Sequence, residues 1–293
     1  MGDTEIIGHG SHRYKVVKGW GVLDPRQYPV QDCHEMVMDK KKRIILLTNE
    51  IKNNFIIYNK DGKLLEAWGN DYPGAHGLTL SNENGTEYLF VCDVTRHLVQ
   101  KITLDGRVLM TLNYPQETGL YSEEDKFHPS ETCVAPNGDI YVVDGYGEQW
   151  IFHYNARGEL IRYFGGKGPN QDQFQFAHGV CIDQREKNNP QLIVCERMRH
   201  VFKRFTLDGQ FIKDIPLPGA FLSRPVIHGD ELYSAALLSR EPWDSRSGFV
   251  TIVDKNDRCI SNPGGSEPVY VNGQLKQLTQ VGNTFMSPQG RRI

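Results

Sequence analysis

The chain has 293 residues, 39% of them hydrophobic, 24% charged and 10% aromatic, a composition that can bury a large core and excludes a disordered chain. Its 33 basic and 36 acidic side chains leave a net charge of −3, which argues against a nucleic-acid partner or an anionic-membrane surface. No apolar run approaches the ~18 residues that cross a bilayer. The start, MGDTEIIGHGSHRYK, carries no apolar signal core, so a cytoplasmic location and no membrane partner are expected. The six cysteines stand singly, mostly inside apolar runs such as YLFVCD, ETCVAP and LIVCE, a pattern of reduced, buried thiols rather than of disulfides.

Residues 13–22 come first and read as a lone outer strand running into a Trp-Gly pair. A repeated unit then begins. HEMVMD and RIILLTN are followed by FIIYNKDGKLLEAW over residues 33–69, and HGLTLS and EYLFVCD by VQKITLDGRVLMTL over 75–113. SETCVAP and DIYVVDG lead to IFHYNARGELIRYF over 128–165, and HGVCID and QLIVCER to VFKRFTLDGQFIKDI over 178–216. A looser fifth copy, VIHGDELYSAALL and GFVTIVDKNDRCIS, fills 223–262. The turn signals Asp61-Gly62, Asp105-Gly106, Arg157-Gly158, Asp208-Gly209 and Asn256-Asp257 lie 44, 52, 51 and 48 residues apart. A β-rich pair around Asp-Gly is a strong hairpin signal. Four strands per unit predict an all-β β-propeller of four-stranded antiparallel blades, forming a single domain over residues 1–293. Helical repeats fit poorly, since 29 glycines and 15 prolines punctuate the chain. The expected plan is six-bladed with an irregular or incomplete last blade, in which strand 13–22 closes the ring with 267–293; a five-bladed ring is the alternative.

The first residue of each inner strand falls at His34, His76, Ser130, His178 and Ser223. In a propeller those positions converge near the axis. Three neutral imidazoles there suit zinc, or iron, with a position left open for substrate. Each histidine alone has a plainer reading as a hydrogen-bonded neighbour of a loop. His128, two residues earlier, reads equally well as a further inward-pointing histidine or as part of a loop, whereas His97, His153 and His200 read as packing or surface residues. A second register, eleven residues before each turn, holds Glu50, Val94, Tyr146 and Arg197. A tyrosine and an arginine beside a metal suit proton transfer and anion stabilisation. Their plainer roles are packing of Tyr146 on Trp150 and pairing of Arg197 with Glu196. Glu35 and Glu131, one place after the inner-strand position, read equally as partners that orient a histidine or as solvated side chains.

The unit and the stretch DIYVVDGYG resemble NHL repeats. More narrowly, AHGLTLSNENGTEYLFVCDVTRHLVQKI, FHPSETCVAPNGDIYVVDGYGEQWIFHYNARGELIRYFG and AHGVCIDQREKNNPQLIVCERMRHVFKRF resemble the lyase domain of peptidylglycine α-amidating enzymes. The resemblance covers roughly residues 75–216. It implies a six-bladed propeller with a catalytic zinc on inner-strand histidines, a structural calcium in the channel, and a tyrosine and arginines acting on a hydroxyglycine. It carries zinc ligation to His76 and His178, the catalytic tyrosine to Tyr146 and a substrate-side arginine to Arg197. The family's third ligand belongs to the last blade; here the remaining histidine of the slot is His34 of the first. Arg26 is the candidate for the family's N-terminal arginine.

Three functions follow as expectations. The first is a metal-dependent lyase-like enzyme acting on a small α-hydroxylated substrate in the channel mouth, with Tyr146 moving a proton and Arg197 holding a carboxylate. The second is a non-catalytic NHL-type scaffold that presents its loop face to a protein or ligand. The third is a calcium-dependent lactonase-type hydrolase, which the histidine-rich slot disfavours because calcium prefers carboxylate and amide oxygens.

Overall fold

The computed structural model describes residues 5–237 and 248–279. Among these residues it holds five four-stranded antiparallel sheets, two short 3-10 turns and no α-helix. The all-β propeller of four-stranded blades therefore stands, with five blades among the described residues, the count of the alternative rather than of the six-bladed plan. The chain divides into two compact units: residues 18–166 form the first, and residues 167–279 with residues 5–17 form the second.

The second unit starts with a hairpin of β1 (Ile6–His9) and β2 (His12–Lys15). In the first unit, blade one is β3 (Cys33–Met38), β4 (Ile44–Thr48), β5 (Phe55–Tyr58) and β6 (Leu64–Trp68). Blade two is β7 (Ala75–Glu83), β8 (Thr86–Asp93), β9 (Leu98–Thr103) and β10 (Val108–Leu112). Blade three is β11 (Glu131–Val134), β12 (Ile140–Val143), β13 (Trp150–Tyr154) and β14 (Leu160–Gly165). In the second unit, blade four is β15 (Ala177–Asp183), β16 (Gln191–Glu196), β17 (Val201–Thr206) and β18 (Phe211–Pro216). Blade five is β19 (Leu222–His228), β20 (Glu231–Ala236), β21 (Phe249–Val253) and β22 (Cys259–Ser261), followed by a short hairpin of β23 (Tyr270–Val271) and β24 (Gln274–Leu275).

The middle strands are continuous β-branched and aromatic runs because both of their faces are covered. β5 (FIIY) and β12 (IYVV) are buried throughout. Ile45, Leu47, Phe55 and Ile57 of blade one pack on Leu78, Leu89, Val91 and Ile102 of blade two. In the second unit, Ile193, Phe202 and Ile215 of blade four pack with Leu222, Leu232 and Val253 of blade five. The Asp-Gly signals mark turns closed by a left-handed residue. Gly62, at φ 79°, donates to Asn59 O at 3.0 Å, and Asn59 N donates to Lys63 O at 3.0 Å. Blade five builds the same turn with Asp257 at φ 62° in the glycine's place, its N–H donating to Asp254 O at 3.0 Å. The weaker Asn256-Asp257 signal was therefore a true hairpin, because an aspartate tolerates this conformation better than most residues.

The chain ends depart from expectation. Residues 13–22 are not one outer strand. Gly8 and Gly10, at φ 93° and 56°, turn the chain so that β1 pairs with β2. That hairpin docks on blade five through His9 N to Ser261 Oγ (3.0 Å), Asn262 N to His9 Nδ1 (3.2 Å) and His12 Nε2 to Glu231 Oε1 (2.6 Å). Trp20 belongs to the first unit, where its indole N–H donates to Lys60 O at 2.9 Å beside the blade-one turn. Within 267–279 the β23–β24 hairpin spans residues 270–275, and Leu278 joins the core of blades four and five; the rest of the expected closing segment, 280–293, lies outside the described residues. No helix among the described residues is long and apolar enough to cross a membrane.

The second unit is also tied by buried ions. Arg204 bridges Asp183 (2.9 Å) and Asp257 (2.6 Å), while Arg185 pairs with Asp183 and Lys213 with Asp257, each at 2.7 Å. Burial alone would raise the Asp183 carboxyl, but hydrogen bonds from Arg185 and Arg204 outweigh it and hold it at about 2. Asp257 is likewise lowered, by Arg204 and Lys213 against the effect of burial. Both folded values lie below the unfolded one. Their stabilisation is therefore complete above the unfolded carboxylate range and is lost as pH falls through the folded values. Thermal unfolding should show Arg204→Met destabilised by about 3 kcal/mol at pH 7, with the gap to wild type narrowing towards pH 2. A gap that stays constant with pH would contradict this account.

Candidate functional site

Four of the five inner strands start with a break in register at the position singled out above. It falls between Cys33 and Glu35 (at His34), Ala75 and Leu78 (at His76-Gly77), Ala177 and Val180 (at His178-Gly179), and Leu222 and Pro225 (at Ser223-Arg224). Such a bulge re-aims a side chain out of the strand's alternation. In blade three β11 starts one residue after Ser130, whose N–H donates to Val143 O at 2.8 Å.

In the first unit these positions bring three rings together. His76 is 6% exposed. Its Nδ1–H donates to Ser130 O at 2.7 Å, which leaves a lone pair on Nε2. The Tyr146 hydroxyl donates to that Nε2 at 3.1 Å, its ring standing edge-on to the imidazole at 5.0 Å and 73°. His34 stacks on the other side of His76, with ring centroids 4.2 Å apart and planes at 29°. Tyr146 is 41% exposed, so the pair has a buried half and a solvent-facing half. Gly77 makes this approach possible, because a Cβ there would lie 2.6 Å from Ser130 O and 2.9 Å from Glu131 Cα. The Glu131 carboxylate accepts Thr132 N at 2.9 Å and Thr79 Oγ1 at 3.2 Å, joining β7 to β11.

In the second unit, Arg197 and His178 share the ring of Phe176. The guanidinium lies 5.4 Å above it and the imidazole stacks at 6.1 Å and 26°. Arg197 is buried; its Nε donates to Leu222 O at 2.8 Å and a terminal nitrogen to Ser223 Oγ at 3.4 Å. The Glu196 carboxylate instead takes backbone N–H donors from Gln175, Phe176 and Met198.

The histidines set aside as packing residues have a clear task. His97 and His200 sit at φ 55° and 56°, and their Nδ1–H groups donate to Phe127 O (2.7 Å) and Ala220 O (3.0 Å), clasping each blade to the segment leading into the next. His128 returns the first clasp by donating to Val94 O at 2.9 Å. His153 stacks on Tyr141 at 4.4 Å and pairs with Asp139 at 2.8 Å. Arg26 is exposed.

His76 has the posture of a metal ligand at one of its two nitrogens. Nδ1–H bound to a carbonyl is the usual posture of a metal-ligating histidine. In His76, however, Nε2 faces a phenol and the His34 ring lies flat on the imidazole. Among the described residues no group of three or more His, Cys, Asp or Glu is placed to hold an ion.

Sequence reasoning missed the acids at the ends of the second strands. Asp93, Asp144 and Glu196 are all fully buried. Asp93 accepts Gly74, Thr95 and Arg96 N–H, so each carboxylate anchors the loop that follows its own strand. The signal was present in FVCD, YVVD and IVCE.

No protein-family model matches the chain. It is 34% identical over 108 residues to peptidyl-alpha-hydroxyglycine alpha-amidating lyase 1 of Drosophila melanogaster, covering 36% of this chain and 19% of that protein. It is 25% identical over 135 residues to NHL repeat-containing protein 3 of Homo sapiens, covering 44% and 39%. The chain thus spans less than half the length of these relatives. Among solved structures, a streptogramin B lyase matches with TM-score 0.58 at 13% identity, over 80% of this chain and 69% of that one. A gluconolactonase from Xanthomonas campestris matches with TM-score 0.59 at 11% identity, over 86% of each. Both are similar in fold.

Proposed function

We propose that the chain is a lyase-type propeller enzyme that cleaves a small α-hydroxylated amide, with His76 and Tyr146 as its proton-transfer pair. The observation that carries this reading is the hydrogen-bonded line from Ser130 O through both nitrogens of His76 to the Tyr146 hydroxyl. The carbonyl fixes the tautomer, so Nε2 accepts and the phenol donates. The likeness to an amidating lyase over 108 residues supports the same reading.

In an N-acyl-α-hydroxyglycine, loss of the hydroxyl proton lets the carbonyl form as the carbon–nitrogen bond breaks. The amide nitrogen takes up one proton and leaves as a primary amide, with glyoxylate as the other product. No oxidant or reductant is needed. Tyr146 is the solvent-facing group that would accept the hydroxyl proton while passing its own to His76 Nε2. The same path in reverse returns a proton to the departing nitrogen.

The test is release of glyoxylate from N-benzoyl-α-hydroxyglycine. Wild type should release it at a rate proportional to enzyme, and His76→Ala, folded, should lose at least about 10²-fold in kcat. Wild-type protein that is folded and inactive towards such amides would leave the scaffold reading, in which the loop face binds a protein partner. That reading draws on the likeness to NHL repeat-containing protein 3.

A further inference from the structure

The loop that carries Tyr146 is wound around one buried carboxylate. Asp144 follows β12 directly. Its Oδ1 accepts His128 N at 2.7 Å, and its Oδ2 accepts Glu148 N at 2.7 Å and the Tyr121 hydroxyl at 2.6 Å. Backbone bonds close the same loop: Gly147 N and Gln149 N donate to Asp144 O at 3.3 and 3.0 Å, and Tyr146 N donates to His128 O at 3.3 Å. The Gln149 side-chain amide spans the loop from within, donating to Gly145 O and Gly147 O at 3.0 Å each. Gly147 has no room for a side chain, since a Cβ there would lie 2.2 Å from Asp144 Oδ1.

Blades two and four build the corresponding anchor from three backbone donors on Asp93 and on Glu196. In blade three a phenol takes the place of the third backbone donor. Tyr121 reaches Asp144 from the long connection between β10 and β11. It is fixed there by edge-on packing on Phe127 at 5.8 Å and by contact with Phe152 at 6.1 Å. Here, in the blade that presents the exposed tyrosine, the anchor depends on a side chain that can be edited without altering the backbone.

We propose that Tyr121 and Asp144 are a positioning pair that holds Tyr146 against His76; the catalytic consequence rests on the lyase reading, the geometric one does not. Burial pushes the Asp144 carboxyl up to about 6, opposed by the hydrogen bonds from Tyr121, His128 and Glu148. Burial and the neighbouring Asp144 also push the Tyr121 phenol up. The proton therefore stays on Tyr121, which remains the donor. Losing the phenol leaves a buried carboxylate with two donors, and the loop relaxes to find a third. Tyr146 moves with it. A misplacement of about 1 Å is enough to lower turnover by about 10²-fold.

The experiment uses the full chain labelled with 15N-histidine, comparing imidazole NMR spectra of wild type, Tyr121→Phe, Asp144→Asn and Tyr146→Phe. The His76 signals are assigned by their loss in His76→Ala. Tyr121→Phe keeps the ring packing and should unfold within a few degrees of wild type. The expected result is a His76 Nε2 resonance displaced towards its position in Tyr146→Phe, together with a kcat for glyoxylate release lowered about 10- to 100-fold at little-changed KM. Asp144→Asn should displace the resonance in the same direction, which keeps the test decisive if one variant folds poorly. A His76 signal superimposable on wild type in folded Tyr121→Phe and Asp144→Asn would overturn the proposal. If wild type releases no glyoxylate while the resonance still moves, the lyase reading falls and the positioning pair stands.

Discussion

Tyr146→Phe is expected to lower kcat for glyoxylate release by about 10²- to 10⁴-fold, the usual contribution of a positioned acid–base group, while KM changes little. The phenol oxygen is the solvent-facing end of the pair and the only atom this substitution removes. The ring itself stays edge-on to His76, so substrate meets the same surface. Tyr146 is 41% exposed, but its hydroxyl is a donor to the buried His76 Nε2, so stability should fall by about 1 kcal/mol. Steady-state kinetics with thermal unfolding on the same preparations separate the two effects. An equal fall in kcat and kcat/KM marks an interaction made in the transition state. If Tyr146→Phe keeps wild-type kcat while His76→Ala is inactive, the imidazole takes the proton directly and the relay through the phenol is wrong.

The second large effect belongs to Gly77. An added methyl would press on Ser130 O at 2.6 Å and on Glu131 Cα at 2.9 Å, both parts of the next blade. Neither is the free end of a flexible side chain. The Ser130 carbonyl is also the acceptor that fixes the His76 tautomer. Gly77→Ala should therefore destabilise the fold by about 3 kcal/mol, the upper range for overpacking, lowering Tm by roughly 6–12 °C for a chain of this size. It should also abolish turnover. Gly179→Ala meets Arg224 Cα at 2.6 Å in the second unit, so a similar fall in Tm is expected there. A Gly77→Ala protein with wild-type Tm would mean that the two inner strands separate easily and that His76 is not rigidly held.

The blades were legible because each repeats a turn with strict chemistry between runs of strict alternation. Even the weak fifth copy obeyed it, with Asp257 adopting the left-handed conformation that glycine supplies elsewhere. The number of blades was not legible. It depends on how the ends dock, and Gly8 and Gly10 make a hairpin where a continuous β-type run suggested one strand. At the site, the register that aligned His34, His76 and His178 is real along the chain. Alignment along the chain does not give direction, and the local bulges at the strand starts decide where each imidazole points. They stack His34 on His76 and hand the second nitrogen of His76 to a tyrosine. Nothing in residue spacing reports that the partner on the first nitrogen is the backbone of Ser130. Asp144 was missed for a different reason: an acid after a buried strand reads as part of the turn, and only the recurrence of an acid in FVCD, YVVD and IVCE marks it as an anchor.

The most direct measurement is an NMR time course of N-benzoyl-α-hydroxyglycine with the wild-type protein, following substrate, benzamide and glyoxylate together. A working His76–Tyr146 pair predicts that benzamide and glyoxylate appear in equal amounts, at a rate proportional to protein and far above the buffer blank. Substrate that decays no faster than in buffer alone, in the presence of folded protein, would contradict the account.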